Sequence, residues 1–158
     1  MYSDLLSLLR TKYEAEELLE ELNGLLRSIY EGQGGKFDFV IQSAVRSEVA
    51  KIIKQDLEEL KVDKQKYLED VIEKIKSIEV LKIKVAYHPS EGDIEKIYTF
   101  VKKYVELDVL LEITTDPQIM GGAIFMYKGE YRDCSLLKTF NANKNAITTS
   151  LESSLSIS

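Results

Sequence analysis

Catalysis and metal binding need side chains that attack, relay protons or donate lone pairs, and this chain supplies few. It holds one histidine, His88, one cysteine, Cys134, and no tryptophan in 158 residues. His88 stands beside Pro89 at the end of an alternating stretch. No second histidine can share a metal with it and no nucleophile pattern surrounds it, so a turn or surface position is expected. Cys134 is forty-six residues from that histidine. A thiol nucleophile needs a base, and the spacing offers none, so burial near a helix start is expected instead. A single cysteine also excludes an internal disulfide and a multi-cysteine metal site, and it suits a reducing compartment.

A phosphate loop is the next candidate, because Gly32, Gly34 and Gly35 are followed by Lys36. A Walker loop places a glycine five positions before its last glycine and Ser or Thr after its lysine. Tyr30 and Phe37 occupy those places, so the cluster is expected to be a turn between helices. The acidic pairs Glu16-Glu17, Glu20-Glu21 and Glu58-Glu59 fall on the outer faces of predicted helices and are expected to be solvated. No residue is assigned to catalysis, to a cofactor or to a metal.

Charge narrows the partners. With 21 basic and 27 acidic residues, the net charge of −6 argues against nucleic acid, which is bound by displacing counterions with a basic surface. It disfavours anionic membrane surfaces equally. No apolar run approaches the roughly 20 residues of a membrane span. The start, MYSDLLSLLRTKYEAEE, lacks the basic opening of a signal peptide. At 44% apolar content, the chain can bury one modest core or two small ones.

The elements that would position any site change character once. From Ser3 to Tyr30, Leu5, Leu8, Leu9, Leu18, Leu19, Leu22, Leu25, Leu26 and Ile29 recur at helical steps; Asn23-Gly24 could break this helix late. A second helix fits residues 37–61 through Ile41, Ala44, Val45, Val49, Ile52, Ile53, Leu57 and Leu60. Asp63 is placed to cap a third, with Tyr67, Leu68, Val71, Ile72, Ile75 and Ile78 on one face. Near residue 79 the period becomes two. Leu81, Ile83, Val85 and Tyr87 alternate with Lys82 and Lys84, as a half-buried strand requires. Ser90 and Asp93 form a capping box for a helix through Ile94, Ile97, Tyr98, Val101 and Val105. Val109, Leu111 and Ile113 mark a second strand and residues 123–127 a third. Lys128-Gly129 forms a tight hairpin turn into Tyr131-Arg132. A last, short helix would hold Leu136, Leu137, Phe140 and Ile147, weakened by Asn141, Asn143 and Asn145. The fold class is α+β: a bundle or hairpin of about three helices, then strand-helix-strand-strand-helix. The domains are a helical part over 1–77, an α+β part over 78–147 and a disordered polar tail over 148–158.

One stretch, residues 114–135, is shaped more than a loop needs. Pro117 has no N–H and forces Asp116 into extended geometry, which ends the strand. Ile119 and Met120 can tuck into the core while Gly121-Gly122 adopts a conformation or a close approach that a Cβ forbids. Asp133 and Ser135 then offer oxygens to the free amides of a following helix.

These residues resemble a known family. Asp116-Pro117, the aliphatic Ile119, Gly121-Gly122, a strand, Gly129 in a turn, and Asp133-Cys134-Ser135 are similar to the C-terminal signature of the F-type ATP synthase delta subunit. Its mitochondrial counterpart is the oligomycin-sensitivity-conferring protein. The resemblance spans residues 79–140. Cys134 stands where the family usually has glycine, and about 77 residues precede the sheet, room for about three helices where the family has a six-helix bundle. The resemblance implies a stator component without catalysis or cofactor. Such a component joins the catalytic head to the C-terminal helices of the peripheral-stalk b subunits, and through residues 1–77 would hold N-terminal helices of alpha subunits. It would be cytoplasmic, attached peripherally to the inner (plasma) membrane through the complex. Two alternatives share features. A V/A-type ATPase stalk E subunit joins helices to an α+β head, but carries Asp-Asn-Thr and a longer unbroken helix. A free-standing helical adaptor or homodimer with a delta-like module would also have a short helical half.

Overall fold

The computed structural model describes residues 2–31, 36–105 and 109–136, with Lys138 and Asn143. The expected turn at residues 32–35, most of the expected last helix and the tail over 148–158 lie outside them. The chain divides into two compact units, Met1–Glu79 with Glu106–Leu110, and Val80–Val105 with Leu111–Ser158.

The first unit is helical: α1 Ser3–Ser7, α2 Lys12–Tyr30, α3 Lys36–Ser43, α4 Ser47–Leu60 and α5 Lys64–Ser77. α2 packs on α3 and α5, α4 on α1 and α3. The leucine stripe builds the core, since Leu5, Leu18, Leu22, Leu25, Ile41, Ile53, Leu68 and Val71 are all fully buried. Removing such side chains from water is worth roughly 1.5–3 kcal/mol each.

Among the described residues five helices stand here where about three were expected, and each extra boundary has a cause. The expected first helix divides before Thr11, whose hydroxyl accepts the Glu14 N–H at 3.2 Å while the Glu14 carboxylate accepts the Thr11 N–H at 2.9 Å. That reciprocal capping box starts α2. Asn23-Gly24 does not break the helix; the Asn23 amide donates back to the Leu19 carbonyl at 2.6 Å and α2 runs through. The expected second helix divides between Ser43 and Ser47. There the Arg46 backbone N–H and guanidinium both bond the Glu21 carboxylate, at 3.1 and 2.9 Å, with Glu17 at 3.6 Å. Glu17 and Glu21 are therefore ion-paired rather than merely solvated. The cap on the third helix is as expected: Asp63 accepts the N–H groups of Gln65 and Lys66.

Polar groups inside this unit are satisfied in pairs. Tyr67 is fully buried and its hydroxyl donates to Asp56 at 2.6 Å. Burial first, and Asp56 next, push the Tyr67 phenol far above its ordinary range. Tyr2 sets its ring 5.3 Å from that of Tyr67 and donates to Asp70, which ties the start of α1 to α5.

The second unit holds β1 Glu79–Val85 from Val80 on, α6 Glu91–Val105, β2 Val109–Thr115 from Leu111 on, β3 Gly122–Tyr127 and β4 Glu130–Ser135, with a 3-10 turn at Pro117–Ile119. The strands lie in the order β2-β1-β3-β4. β3 is antiparallel to both β1 and β4, with Ile83 opposite Phe125 and Phe125 opposite Arg132. Leu81, Ile83 and Val85 are buried as their alternation requires. Ser90 and Asp93 form the expected box, Asp93 accepting the Ser90 N–H at 3.0 Å and Ser90 the Asp93 N–H at 3.3 Å. Among the described residues there are four strands rather than three, because Glu130–Ser135 pairs with β3 along its whole length before the helical turn at Leu136. Tyr87 lies past the end of β1 and is 55% exposed.

Two outcomes follow from the α2 start. Thr11→Ala should cost about 1 kcal/mol, read as a lower urea midpoint with an unchanged slope. Burial pushes the Glu14 carboxyl up, but hydrogen bonds from the Arg10 side chain and from the Arg10 and Thr11 amides outweigh it, leaving the pKa below its ordinary 4.5. A carboxyl depressed on folding stabilises above its unfolded value and loses that contribution as pH falls through the folded one. Glu14→Gln should therefore flatten the fall in stability with acid below about pH 4.5 relative to wild type; an unchanged acid profile would contradict the assignment.

Candidate functional site

The signature residues sit in the second unit. Asp116 is extended and its N–H donates to the Val85 carbonyl at 2.8 Å, closing the end of β2 against β1. Its carboxylate accepts the Gln118 N–H at 3.0 Å. Pro117 then opens the 3-10 turn, where its missing N–H costs nothing. Ile119 is buried at 4% exposure, but Met120 is 66% exposed, not tucked in. The turn ends with Met120 in the left-handed region at φ 57, which aims its side chain away from the core that Ile119 enters.

Gly121 and Gly122 follow at φ 123 and φ 77. Gly122 pairs with Ser135, and a Cβ there would press into the Cys134 carbonyl oxygen and lie 3.0 Å from the Ser135 Cα. The backbones of β3 and β4 meet at this point more closely than any side chain allows. The Gly121 carbonyl accepts the Leu136 N–H at 2.9 Å, and a Cβ on Gly121 would meet the Leu136 side chain at 2.9 Å. On the β4 side, the Asp133 carboxylate accepts the Ser135 N–H at 2.9 Å and the Ser135 hydroxyl accepts the Lys138 N–H at 3.3 Å. Ser135 thus acts as a helix cap in the expected way, with Leu136 and Lys138 helical. Hydrogen bonds from the side chain and then the backbone of Ser135 hold the Asp133 carboxyl below its ordinary range.

The fold brings Gly121, Gly122, Asp133 and Ser135 together and leads Asp116, Pro117 and Ile119 into them. Gly129 is apart: with Lys128 it forms the turn at the far end of a six-residue strand, roughly 17–20 Å away. Both turn residues have positive φ, as a type I′ hairpin needs. Cys134 is exposed rather than buried, because strand residues alternate and its neighbour Ser135 takes the inward position. His88 is exposed just after the bend at Ala86-Tyr87, its Nδ1 3.2 Å from the Thr115 hydroxyl. Among the described residues no group of three or more His, Cys, Asp and Glu could hold a metal ion, and no helix is long and apolar enough to cross a membrane.

The helical unit carries a feature that composition did not flag. A groove of about 370 Å³ runs over α2 and α3, lined by Glu17, Glu20, Glu21, Gly24, Val40, Ala44 and Arg46. A wider cleft of about 700 Å³ shares Glu20 and Gly24 and extends to Tyr30. Its sequence signal was Gly24 itself, a glycine inside a helix that it fails to break.

The three glycines should separate in mutagenesis. Gly122→Ala combines steric overlap with positive φ and should cost more than about 2 kcal/mol. Gly129→Ala, with nothing within 4 Å, should cost only the conformational 1–2 kcal/mol, roughly. Gly24→Ala should stabilise by about 0.5–1 kcal/mol. Denaturant titrations of the three would show a different order if the close β3–β4 approach were wrong.

Compared with known families, the chain matches the ATP synthase delta (OSCP) subunit model over residues 40–147. A search of curated proteins gave no match. The matched segment starts inside α3, takes in α4, α5 and every strand, and so draws on both units. With that span added to the hairpin geometry, the chain belongs to the ATP synthase delta (OSCP) subunit family.

Proposed function

We propose that this chain is a non-catalytic stator subunit of a rotary F-type ATP synthase, linking the catalytic head to the C-terminal helices of the b subunits. The observation that carries this is the reach of the family match from residue 40 to residue 147. An adaptor that had borrowed only the sheet module would not extend the likeness through α4 and α5. The structure adds support. Its signature residues serve turns, a close strand crossing and a helix cap, all structural tasks. Five helices precede the sheet, which leaves room for the helical part to hold alpha-subunit N-terminal helices. Exposed Met120 and Leu136, on either side of Gly121, give the second unit apolar surface for a partner helix. Domain roles follow: residues 1–77 toward the head, and 78–147 as the α+β part. The protein would then sit in the cytoplasm, held at the inner membrane through its partners.

Native electrophoresis of mild-detergent extracts from the source membranes tests this. The chain should migrate with alpha, beta and b subunits. Migration as a small free species, beside ATPase bands that lack it, would refute the stator role.

A further inference from the structure

β4 is an end strand of its sheet, with β3 on one side and no strand on the other. The hairpin decides which main-chain groups point to that open side. The Leu136 N–H bonds the Gly121 carbonyl, which makes Gly122 and Ser135 a non-hydrogen-bonded pair. The direction of these groups alternates along a strand, so Tyr131, Asp133 and Ser135 all turn theirs away from β3. The Asp133 carboxylate already holds the Ser135 N–H at 2.9 Å. Among the described residues, the main-chain groups of Tyr131 and Asp133 have no partner.

Edges are commonly guarded by proline, a bulge or repelling charge. β4 has no proline, and its pairing runs from Tyr127 with Glu130 to Gly122 with Ser135 without a bulge. Glu130, Tyr131 and Arg132 are exposed, Tyr131 at 59%. Glu130 and Arg132 share one face of the strand, and among the described residues neither has an ion-pair partner.

Charge then selects both the occupant and its register. An identical strand running antiparallel about an axis at Arg132 sets two guanidinium groups against each other, and about Asp133 it sets two carboxylates. About Tyr131, Glu130 stands opposite Arg132 of the second copy, and the pair is repeated on the other side of the axis. Opposite charges facing each other across a ladder attract, and like charges repel. Glu130 and Arg132 would take the non-hydrogen-bonded positions, where Cα atoms are about 4.5 Å apart and side chains are closest. Tyr131 would exchange both of its main-chain bonds with its own copy.

We propose that the open edge of β4 pairs antiparallel with β4 of a second copy of this chain, about an axis at Tyr131 that sets Glu130 against Arg132 twice. The contact is short, because the bond from Ser135 to Asp133 ends the open edge, so the dimer is weak and reversible. It belongs to the free chain and stands independently of the stator role.

Sedimentation equilibrium of the purified full-length chain tests it. The average mass should rise from 18.1 kDa toward twice that value between about 5 and about 500 µM. Glu130→Arg and Arg132→Glu should each weaken association about tenfold. The chain carrying both exchanges should return to within about twofold of wild type, because the opposite charges face each other again. Both side chains are exposed, so thermal midpoints should stay at the wild-type value throughout. A mass that remains at 18.1 kDa up to about 500 µM would overturn the proposal. So would a dimer that the single variants leave intact, or one that the double exchange fails to restore.

Discussion

Two backbones cannot approach within van der Waals distance of a Cβ, and in the second unit the path from Asp116 to Leu136 accommodates that limit at Gly122. Because Gly122 is bare, β4 can close onto β3 until Ser135 stands opposite it, and only then does Leu136 reach the Gly121 carbonyl. The turn at Pro117–Ile119 exists to deliver the chain into this crossing. Asp116 fixes its start by bonding both Val85 and Gln118, and Ile119 anchors its middle in the core. Ser135 then hands the hairpin over to the next helix. Seven of the eight signature positions lie at this crossing or lead into it, and Gly129 sits in the turn at the far end of the hairpin.

The helical unit depends on a different balance. Apolar burial along α2, α4 and α5 supplies its cohesion, and two polar arrangements decide its shape. The Thr11–Glu14 box sets where α2 begins, and Arg46 joins the α3–α4 junction to α2 by four polar contacts to Glu21 and Glu17. An isolated surface ion pair contributes little. This one includes a backbone N–H and a carboxylate whose side chain is only 13% exposed, so it sets direction at the junction. The bond from buried Tyr67 to half-buried Asp56 plays the matching role between α4 and α5, since a phenol at the centre of a core must find an acceptor.

What was legible in the sequence was whatever depends on period or on a local cap. The change from three-and-four to alternating spacing near residue 79 located β1. Asp63, Ser90 and Asp93 cap as their types require, and Lys128-Gly129 turns as its glycine requires. Helix number was misread because apolar periodicity runs across a break: Leu8 and Leu9 continue the stripe although the helix restarts at Lys12. Thr11 and Glu14 had the capping spacing all along, and that signal outranks the leucines. Arg46 could not be foreseen, because its partners lie 25 and 29 residues away and no local rule brings them together. Met120 and Cys134 were placed inward because they are apolar types, whereas the turn geometry and the strand alternation turn both outward. Of the candidate interaction faces, the hairpin was readable and the groove was not, since a groove is made by residues that α2 and α3 leave small.

The hairpin also works as a gauge. Its turn at Lys128-Gly129 and its tight crossing at Gly122 sit at opposite ends of β3, so the two fix a single length between them. Pairing that starts at the turn and zips away from it reaches Gly122 last. A one-residue slip that brings Ala123 opposite Ser135 would press its side chain toward the Cys134 carbonyl and part the Leu136 N–H from the Gly121 carbonyl. Leu136 can therefore bond the Gly121 carbonyl only when every earlier pair is in register, which makes that one bond a checkpoint on the hairpin behind it.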